Sequence, residues 1–217
     1  MSQIDSDEYK RYFKGTTTVG LVCSDGIVLG ADTRATMANY IAASEARKVW
    51  KIDSNLGMTI AGSVGDAQEL IRVLKAQNEI YKMNEGRSLS PRSATSLLSI
   101  ILQDSKMIPY YVELIVGGMD GEDPQLYTLD PLGGAIQESK FNSTGSGSFI
   151  ALGYLEDMYK KGISTKEAIK GVAKALSIAM KRDSATGDSM IIVEVTKKGY
   201  VEYMGKDLEK IISAKQQ

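Results

Sequence analysis

The stretch Gly15-Thr16-Thr17-Thr18-Val19-Gly20 decides the fold, because it marks where a polar arm gives way to the first apolar run. Residues 1–15 carry charges of both signs and lack any periodicity, which is typical of a loose terminal segment. Threonine and valine favour strands, so the simplest interpretation is that Thr16 opens the first strand of a sheet. A second interpretation stays open, since this boundary also suits a cleavage site between Gly15 and Thr16.

Cleavage there would give Thr16 a free α-amine close to its own hydroxyl. Such an amine has a pKa near ~8, so an appreciable fraction is neutral around pH 7 and can act as a base. This form of threonine activation needs no histidine, and the chain contains none. The absence of histidine excludes Ser-His-Asp and Cys-His nucleophiles and His-ligated zinc. A single cysteine, Cys23, excludes an internal disulfide and a cysteine metal cluster.

Charge and hydropathy limit the kinds of partner and the cellular compartment that we expect for this chain. The 217 residues include 26 basic and 27 acidic ones, so no basic excess points to nucleic acid. The longest apolar run, 97–102, is far shorter than the roughly 20 residues that span a bilayer. The N-terminal residues hold no apolar stretch typical of a secretory signal. We therefore expect a soluble, cytoplasmic protein that binds neither nucleic acid nor membrane, and we expect no metal or other cofactor.

Strand signals recur along the chain with turn signals between them. Asp25-Gly26 lies between two apolar runs and predicts a hairpin, and residues 54–57 predict a second turn. Strands are predicted at 17–24, 27–31, 48–53, 58–61, 112–119, 125–129, 135–139, 190–196 and 200–204. Hairpin connections of this kind imply antiparallel sheets.

Helical signals occur as two pairs between groups of strands. An apolar stripe at spacings of three and four covers 67–81, and Ser90-Pro91 begins a second helix. A third helix is predicted at 148–160, with Gly162 as its stop, and a fourth at 165–182, capped by Ser164 and Glu167. A short polar helix is predicted at the C-terminus. We interpret Cys23 and the methionines as core filler.

Strands, two helices, strands, two helices and strands follow one another without a linker or repeat. Because most helices are amphipathic on one face, they suit outer layers that cover sheets. The predicted fold class is α/β, a four-layer α/β/β/α sandwich of two antiparallel sheets between helix layers.

Two charged motifs flank the predicted core strands. Asp32 and Arg34 lie in Gly30-Ala31-Asp32-Thr33-Arg34-Ala35-Thr36, where the simplest interpretation is a surface ion pair worth under ~1 kcal/mol. Lys48 lies in Ala46-Arg47-Lys48-Val49-Trp50 and could be a solvated lysine on an edge strand. These three charges flank core strands and do not lie in a run of charges, so a functional role for each of them stays open.

Three glycine-containing or polar segments occur where strands and helices meet. Ile60-Ala61-Gly62-Ser63-Val64-Gly65-Asp66 is either a tight turn or a set of amides that can bind an oxyanion. Gly145-Ser146-Gly147-Ser148 precedes a helix but lacks the third glycine of a dinucleotide loop. The segment from Arg182 to Asp188 is either a helix terminus or part of a polar network.

Taken together and in this order, the motifs resemble the archaeal type of β subunit of the proteasome core particle. The resemblance covers about Gly15 to Met204. Its pieces are G-T-T-T-V-G, G-A-D-T-R-A-T, R-K-V, T-I-A-G-S-V-G-D-A-Q, T-G-S-G-S and R-D-S-A-T-G. It implies an N-terminal nucleophile hydrolase, with the sandwich described above as one catalytic domain over 16–217.

The resemblance also implies roles for residues in these motifs. Thr16 would be the nucleophile, and after processing its amine would accept the proton. The Lys48 ammonium would favour the deprotonated Thr16 oxygen, and Asp32 would hold Lys48 in place. The backbone N–H of Gly62 would form the oxyanion hole.

A hydrogen-bond network around the Thr16 amine is implied in the same way. Ser146, Asp183 and Thr186 would form it, and Arg34 would be structural, bonding near Asp183. Two positions depart from the family pattern. Thr186 stands where serine is usual, and Asp188 stands where a second glycine is common.

Processing and specificity follow from the resemblance as well. Residues 1–15 would be a propeptide that Thr16 removes by attacking the Gly15 carbonyl, so the uncut chain would be an inactive precursor. The primary substrate pocket is expected to be apolar and uncharged, with Gln68 deeper in, which implies cleavage after hydrophobic residues. Its expected lining is Ala35, Thr36, Ala46, Ile60, Val64 and Gln68.

The expected function is that of a threonine endopeptidase subunit that degrades unfolded polypeptides inside a ring-shaped chamber. Its expected partners are other β subunits in a seven-membered ring, α subunits and a regulatory unfoldase ATPase. Two alternatives stay open. One is a catalytically silent β subunit that only builds the ring, and the other is a small-molecule amidase on the same fold.

Overall fold

Two five-stranded antiparallel sheets form the centre of the molecule. The structure is a computed structural model, and it describes residues 15–37 and 40–213. Of the predicted propeptide, only Gly15 falls within the described residues. The first sheet has the order β10-β1-β2-β11-β12 and the second β5-β6-β7-β8-β9, with a separate hairpin β3-β4.

The described strands occur in the following positions, in chain order. They are β1 Thr18–Val22, β2 Gly26–Asp32, β3 Ala35–Met37, β4 Tyr40–Ala43, β5 Val49–Asp53, β6 Leu56–Gly62, β7 Val112–Asp120, β8 Asp123–Leu129, β9 Ala135–Glu138, β10 Phe141–Thr144, β11 Met190–Thr196 and β12 Gly199–Met204. Antiparallel pairing holds throughout, as the hairpin signals indicated.

Helices cover the outer face of each sheet. The described helices are α1 Val64–Glu85, α2 Pro91–Asp104, α3 Ser148–Met158, α4 Thr165–Arg182 and α5 Gly205–Ser213. Helices α1 and α2 pack on the second sheet, while α3 and α4 pack on the first. No helix of the described ranges is both long enough and apolar enough to cross a membrane.

Three apolar clusters fill the three spaces between these four layers. Leu29 and Ile115 lie in the cluster between the two sheets, Val172 in the one under α3 and α4, and Leu98 in the one under α1 and α2. Every residue of β2 is buried because one face meets the opposite sheet and the other meets α4. The predicted four-layer α/β/β/α sandwich is therefore confirmed.

Three short strands were not predicted. β3 and β4 form a hairpin in which every residue of β4 is exposed, so no burial pattern marks it. β10 is mostly polar in sequence and owes its conformation to pairing with β1, where the hydroxyls of Thr18 and Thr144 lie 2.6 Å apart. The second predicted turn is also too long, since β6 already begins at Leu56.

Two predictions about local features need correction. Helix α3 ends at Met158 because Tyr159 is already extended, so Gly162 does not stop the helix and lies in the loop that follows. Methionines are not uniformly core filler. Met58 and Met119 are buried, whereas four others are more than half exposed. Those four are Met37, Met83, Met107 and Met204. Cys23 is buried as expected.

Candidate active site

The predicted catalytic side chains meet at one end of the sandwich. β1 and β2 are antiparallel and joined by residues 23–25, so the residues before β1 lie beside the end of β2. Thr17 bonds with Asp32 here, which brings Thr16 close to that carboxylate, and Lys48 enters from the residue before β5. All three are buried, Asp32 almost completely at 1% exposure.

The carbonyl group between Gly15 and Thr16 is the focus of this arrangement. The Thr16 hydroxyl donates to the Gly15 carbonyl oxygen at 2.6 Å, and the Lys48 ammonium donates to the same oxygen at 2.9 Å. Gly15 has a φ of +110°, and a Cβ there would overlap the Thr36 hydroxyl. Only glycine adopts this conformation at little cost, so the sequence places its glycine where the carbonyl must turn towards Lys48.

Asp32 fixes Lys48 and ties together the segments around it. One carboxylate oxygen accepts from the Lys48 ammonium at 2.8 Å and from the Thr17 N–H at 2.9 Å. The other accepts from the N–H groups of Arg34 and Gly187 at 3.1 and 3.0 Å. Burial lowers the pKa of Lys48 from its usual value, and the Asp32 charge opposes that shift.

A second polar group surrounds the Thr16 nitrogen, the atom that would become the free amine. The Thr16 N–H donates to Ser146 Oγ at 3.4 Å, and Ser146 Oγ donates to Asp183 at 2.5 Å. The same Asp183 oxygen accepts from the Thr186 hydroxyl at 2.5 Å. The structure therefore brings Ser146, Asp183 and Thr186 together beside Thr16.

Thr17 belongs to this group as well, and sequence reasoning missed it. The Thr17 and Thr186 hydroxyls lie 2.7 Å apart, and both residues are fully buried. Thr186 therefore keeps the hydroxyl contacts that the usual serine can make, and its extra methyl group is enclosed by protein. The triple threonine was a possible signal, but a strand explains such a run equally well.

Arg34 does not pair with Asp32 through its side chain, which corrects the surface ion-pair interpretation. Its guanidinium forms two parallel hydrogen bonds to Asp188 at 3.0 and 3.1 Å and a third to the Ser184 carbonyl. Asp188 has a φ of +66°, a left-handed conformation that favours glycine. The departure at Asp188 thus supplies the partner of Arg34.

Gly62 ends β6 at the mouth of a pocket beside Thr16. Its φ is +119°, and a Cβ would overlap the Tyr111 carbonyl, so a side chain does not fit. Helix α1 begins directly afterwards, with Ser63 as its N-cap. The predicted oxyanion-hole amide therefore borders the same space as Thr16 and Lys48.

We call this space the Thr16 pocket. It has a volume of about 290 Å³ and is lined by Gly15, Thr16, Ala35, Thr36, Ala46, Arg47, Lys48, Trp50, Ile60, Gly62, Val64, Ala67, Gln68 and Ile71. All six residues expected to line a substrate pocket are among them. Sequence reasoning missed Trp50, Ala67 and Ile71, which add to the apolar wall.

Two details of the pocket differ from expectation. Gln68 is exposed, so it is not the deepest residue, and the buried positions of the wall include Ala67 and Ile71 instead. The lining is not free of charge, because Arg47 and Lys48 belong to it. Arg47, however, is held by Glu202 through two hydrogen bonds of 2.7 and 2.9 Å.

Glu113 is another contributor that the sequence did not reveal. It lies in β7 opposite Ala61, and its carboxylate accepts from the Gly145 N–H at 3.0 Å. Gly145 packs so closely that a Cβ would overlap the Thr16 carbonyl oxygen. Glu113 therefore fixes the loop that presents Ser146. Within 15–37 and 40–213, no group of three or more Cys, Asp and Glu residues is arranged to hold a metal ion.

Comparison with known proteins identifies the family of this chain. The family model described as "Proteasome subunit" matches residues 12–195. Among similar proteins, each named "Proteasome subunit beta", that of Methanohalophilus mahii is 46% identical over 93% of this chain and 96% of its own length. That of Methanococcus vannielii is 47% identical over 95% of both chains, and that of Methanocaldococcus vulcanius 48% identical over 92% of this chain and 90% of its own. The chain therefore belongs to the proteasome subunit family, among its archaeal β subunits.

Proposed function

We propose that the chain is the precursor of a threonine endopeptidase β subunit, with Thr16 as its nucleophile. One observation carries this proposal. The Thr16 hydroxyl and the Lys48 ammonium both donate to the Gly15 carbonyl oxygen, at 2.6 and 2.9 Å. Attack on a carbonyl group requires a nucleophile beside it and a group that stabilises the charge developing on its oxygen. The Thr16 hydroxyl and the buried Lys48 ammonium are suited to these two roles.

Self-processing would begin at this carbonyl. Thr16 Oγ adds to the Gly15 carbonyl carbon, and Lys48 stabilises the negative charge that develops on the oxygen. The bond from Gly15 to the Thr16 nitrogen then breaks as that nitrogen takes up the proton lost by the hydroxyl, which leaves Gly15 as an ester on Thr16 Oγ and frees the Thr16 amine. Water hydrolyses the ester, releases residues 1–15 with a new carboxyl terminus and restores the Thr16 hydroxyl.

Substrate hydrolysis would repeat the same chemistry on another chain. The free amine takes the proton from Thr16 Oγ, which attacks the substrate carbonyl, while Lys48 favours the oxyanionic form of the hydroxyl. Ser146 and Asp183 orient the amine. The Gly62 N–H donates a hydrogen bond to the substrate oxygen and so stabilises the negative charge that develops there. The amine then protonates the leaving nitrogen, and water releases the acyl group.

Specificity for hydrophobic residues is supported by the Thr16 pocket. Trp50, Ile60, Ala67 and Ile71 provide an apolar wall beside the nucleophile. The flanking charges are already paired, Arg47 with Glu202 and Lys48 with Asp32. An apolar side chain before the scissile bond would therefore be buried without separating an ion pair.

The family supports the wider assignments, which are proposals for this chain. Its relatives are named as subunits, so we propose assembly into a seven-membered β ring with α subunits in the cytoplasm. A regulatory ATPase would deliver unfolded polypeptides to the chamber. No cofactor is proposed, because the mechanism uses only side chains, backbone amides and the new N-terminus.

The test of this proposal is the intact mass of the chain after co-expression with α subunits, combined with peptide hydrolysis. We expect loss of residues 1–15 and hydrolysis that is fastest after hydrophobic residues. Thr16→Ala should remain uncut and inactive. Thr186→Ala serves as a comparison that leaves the nucleophile in place while removing a hydroxyl of the network.

Two results would contradict the proposal in different ways. An uncut, inactive wild-type chain within assembled particles would favour the silent β subunit. A chain that hydrolyses small amides without assembling with α subunits would favour the amidase. Fastest cleavage after Arg or Asp would leave the threonine mechanism intact but overturn the specificity.

A further inference from the structure

The first turn of α1 differs from that of α4, although both turns carry an acid three residues after the N-cap. In α4, the carboxylate of Glu167 accepts from the N–H of the N-cap Ser164 at 3.4 Å and so closes a capping box. In α1 the acid is Asp66 and the N-cap is Ser63, but the Ser63 N–H donates to the Tyr111 carbonyl at 2.7 Å. The Asp66 carboxylate therefore bonds to a different partner.

That partner is the backbone of Tyr111, the residue just before β7. Oδ2 of Asp66 accepts from the Tyr111 N–H at 2.9 Å, so both backbone groups of Tyr111 bond to the start of α1. A carboxylate is a strong acceptor, because hydrogen bonds to charged groups are about twice as strong as neutral ones. We call these two hydrogen bonds, which join Ser63 and Asp66 to Tyr111, the Tyr111 clamp.

The Tyr111 clamp lies directly against Gly62. Gly62 pairs with Val112, the first residue of β7, in the last pair between β6 and β7. A Cβ on Gly62 would overlap the Tyr111 carbonyl oxygen, which is the atom that accepts from the Ser63 N–H. The oxygen that limits the space at Gly62 is therefore held in place by the clamp.

The direction of the Gly62 N–H follows from the strand that Gly62 ends. N–H groups point alternately to the two edges of a strand, and the N–H of Ile60 donates to the Lys48 carbonyl at 3.0 Å. The Gly62 N–H is therefore directed to the same edge, beyond the start of β5, where the Thr16 pocket opens. An amide in this position is suited to bind the oxygen of a substrate carbonyl.

Glycine allows this amide its position but does not secure it. Gly62 has a φ of +119°, which glycine adopts readily, and a glycine leaves such a conformation just as readily. An oxyanion hole is effective because its donors are oriented before the reaction begins. Contacts outside Gly62 must therefore fix its peptide, and the Tyr111 clamp provides them.

We propose that Asp66 is a positioning residue for substrate hydrolysis and acts through Tyr111 on the Gly62 amide. This role depends on the proposed function, on which the inference rests, because it needs the Gly62 N–H as a donor to the substrate oxygen. Asp66 does not line the Thr16 pocket, so it does not contact a substrate side chain bound there. Its effect should fall on kcat rather than KM, since the donor is needed most when the oxygen becomes negative.

The test compares two variants in assembled, processed particles. Asp66→Ala removes the acceptor of the Tyr111 N–H, and we expect kcat to fall by about 10- to 100-fold while KM changes by less than about twofold, as for a small misplacement of a catalytic group. Asp66→Asn keeps an oxygen for this bond but loses the charge, so kcat should fall by only about threefold. Wild-type kcat in both variants, or in Asp66→Asn where Asp66→Ala does not assemble, would overturn the inference.

A peptide aldehyde and the matching peptide alcohol distinguish oxyanion stabilisation from ordinary binding. Thr16 Oγ adds to the aldehyde carbon, and the hydroxyl proton passes to the aldehyde oxygen, so a hemiacetal forms whose oxygen lies within reach of the Gly62 N–H. The alcohol cannot form this adduct. In Asp66→Ala the affinity for the aldehyde should weaken by the factor by which kcat/KM falls, while the affinity for the alcohol stays the same. Equal weakening of both would overturn the inference, because Asp66 would then only shape the pocket.

Ser90→Ala is the control for a general loss of helix stability. It removes the N-cap acceptor of α2, where the Ser90 hydroxyl accepts from the Ser93 N–H at 3.1 Å, and Ser90 does not line the Thr16 pocket. We expect this variant to lower the melting temperature and to keep the wild-type kcat. If Ser90→Ala lowered kcat as much as Asp66→Ala, lost stability would explain both effects and the inference would fail.

Two further outcomes separate this inference from the proposed function. Cleavage of the same peptides by Thr16→Ala particles would overturn the proposed function itself. Self-processing should continue in Asp66→Asn, because Lys48 and the Thr16 hydroxyl already hold the Gly15 carbonyl oxygen. An Asp66→Asn chain that stays uncut beside a processed wild type would overturn only the inference, since Asp66 would then act at a step before the Gly62 amide is used.

Discussion

Asp32 and Asp53 are two aspartates with similar surroundings and different consequences. Each is the last residue of a strand, and each has four partners among the described residues, one of them a lysine. Asp32 binds Lys48, which is buried and 2.9 Å from the Gly15 carbonyl. Asp53 binds Lys82, whose side chain is 36% exposed, and it does not line the Thr16 pocket.

The difference shows what distinguishes a reactive site from a polar cluster that stabilises the fold. Asp53 is bonded by Ser54, Asn78 and Ser88 as well as by Lys82, and these contacts join β5 to α1 and to the segment before α2. Asp32 orients the Lys48 ammonium, which also donates to the Gly15 carbonyl beside the Thr16 pocket. The number of hydrogen bonds is therefore less informative than where the lysine points.

The sharpest test of this comparison replaces each lysine. Lys48→Ala removes the cation at the Gly15 carbonyl, and we expect processing of residues 1–15 to slow by about 100- to 1000-fold, as for other groups that stabilise a developing oxyanion. Peptide hydrolysis should fall at least as far, because the Thr16 amine is not freed. Lys82→Ala is the matched control and should be processed and fully active. Equal activity in the two variants would show that the position of Lys48 has no special importance.

The role of the Asp32 carboxylate should be visible in the dependence of kcat/KM on pH. Burial lowers the pKa of Lys48 and the Asp32 charge raises it, so the net shift is downward. Lys48 is charged below its pKa, and activity should therefore decline on the alkaline side before the ordinary lysine value of about 10.4 is reached. Asp32→Asn removes the opposing charge and should move this alkaline limb of kcat/KM to still lower pH. An unchanged or upward-shifted limb would refute the assignment of Lys48.

Asp53 should act on stability instead. Asp53→Ala leaves the NH2 group of the fully buried Asn78 without its acceptor, and we expect a loss of about 1–3 kcal/mol in the free energy of unfolding. Urea unfolding of the full chain measures this loss, and the peptidase activity of the folded protein should not change. A large loss of activity without a loss of stability would remove the contrast with Asp32.

The effect of Asp53 should also depend on pH. Burial alone would raise its pKa, but hydrogen bonds from Asn78, Ser54, Ser88 and Lys82 together lower it well below the usual range. A depressed pKa in the folded state means that the stabilisation is complete above about pH 4 and is lost as pH falls through the folded value. The stability difference between wild type and Asp53→Ala should therefore shrink in acid.

The smallest expected effect concerns the departure from serine at Thr186. Thr186→Ser keeps the hydroxyl between Thr17 and Asp183 and deletes one buried methyl group, which is worth about 1 kcal/mol of stability. We expect little change in kcat/KM. Thr186→Val keeps the shape and removes the hydroxyl, so it should lower activity, and a reversed order of the two variants would contradict the network.

Local patterns predicted much of the fold and the centre of the site. The Asp-Gly turn and the Ser164–Glu167 capping box signal their elements within a few residues, and both occur in the structure. Asp32 and Lys48 stood out because they flank apolar strands outside any run of charges, and the family resemblance then implied their roles. In contrast, β3 and β4 have no buried face, and so their sequences carry no hydrophobic period.

Local sequence did not reveal the partners of several supporting residues, because those partners are distant along the chain. Thr17 meets Thr186 across 169 positions, and Arg34 meets Asp188 across 154. Glu113 looks like an ordinary polar residue of a strand until the second sheet places it against Gly145. Such contacts depend on how layers pack, which periodicity and turn signals do not specify.

The central claim is that Thr16 becomes the nucleophile after the Gly15–Thr16 bond is cut. The most direct measurement treats assembled particles with a peptide that carries an electrophilic terminus, and then locates the adduct by fragment mass spectrometry. We expect one adduct per processed chain, on Thr16 as the N-terminal residue, and none in Thr16→Ala or Lys48→Ala. Full peptidase activity with an adduct elsewhere, or with residues 1–15 still attached, would contradict it.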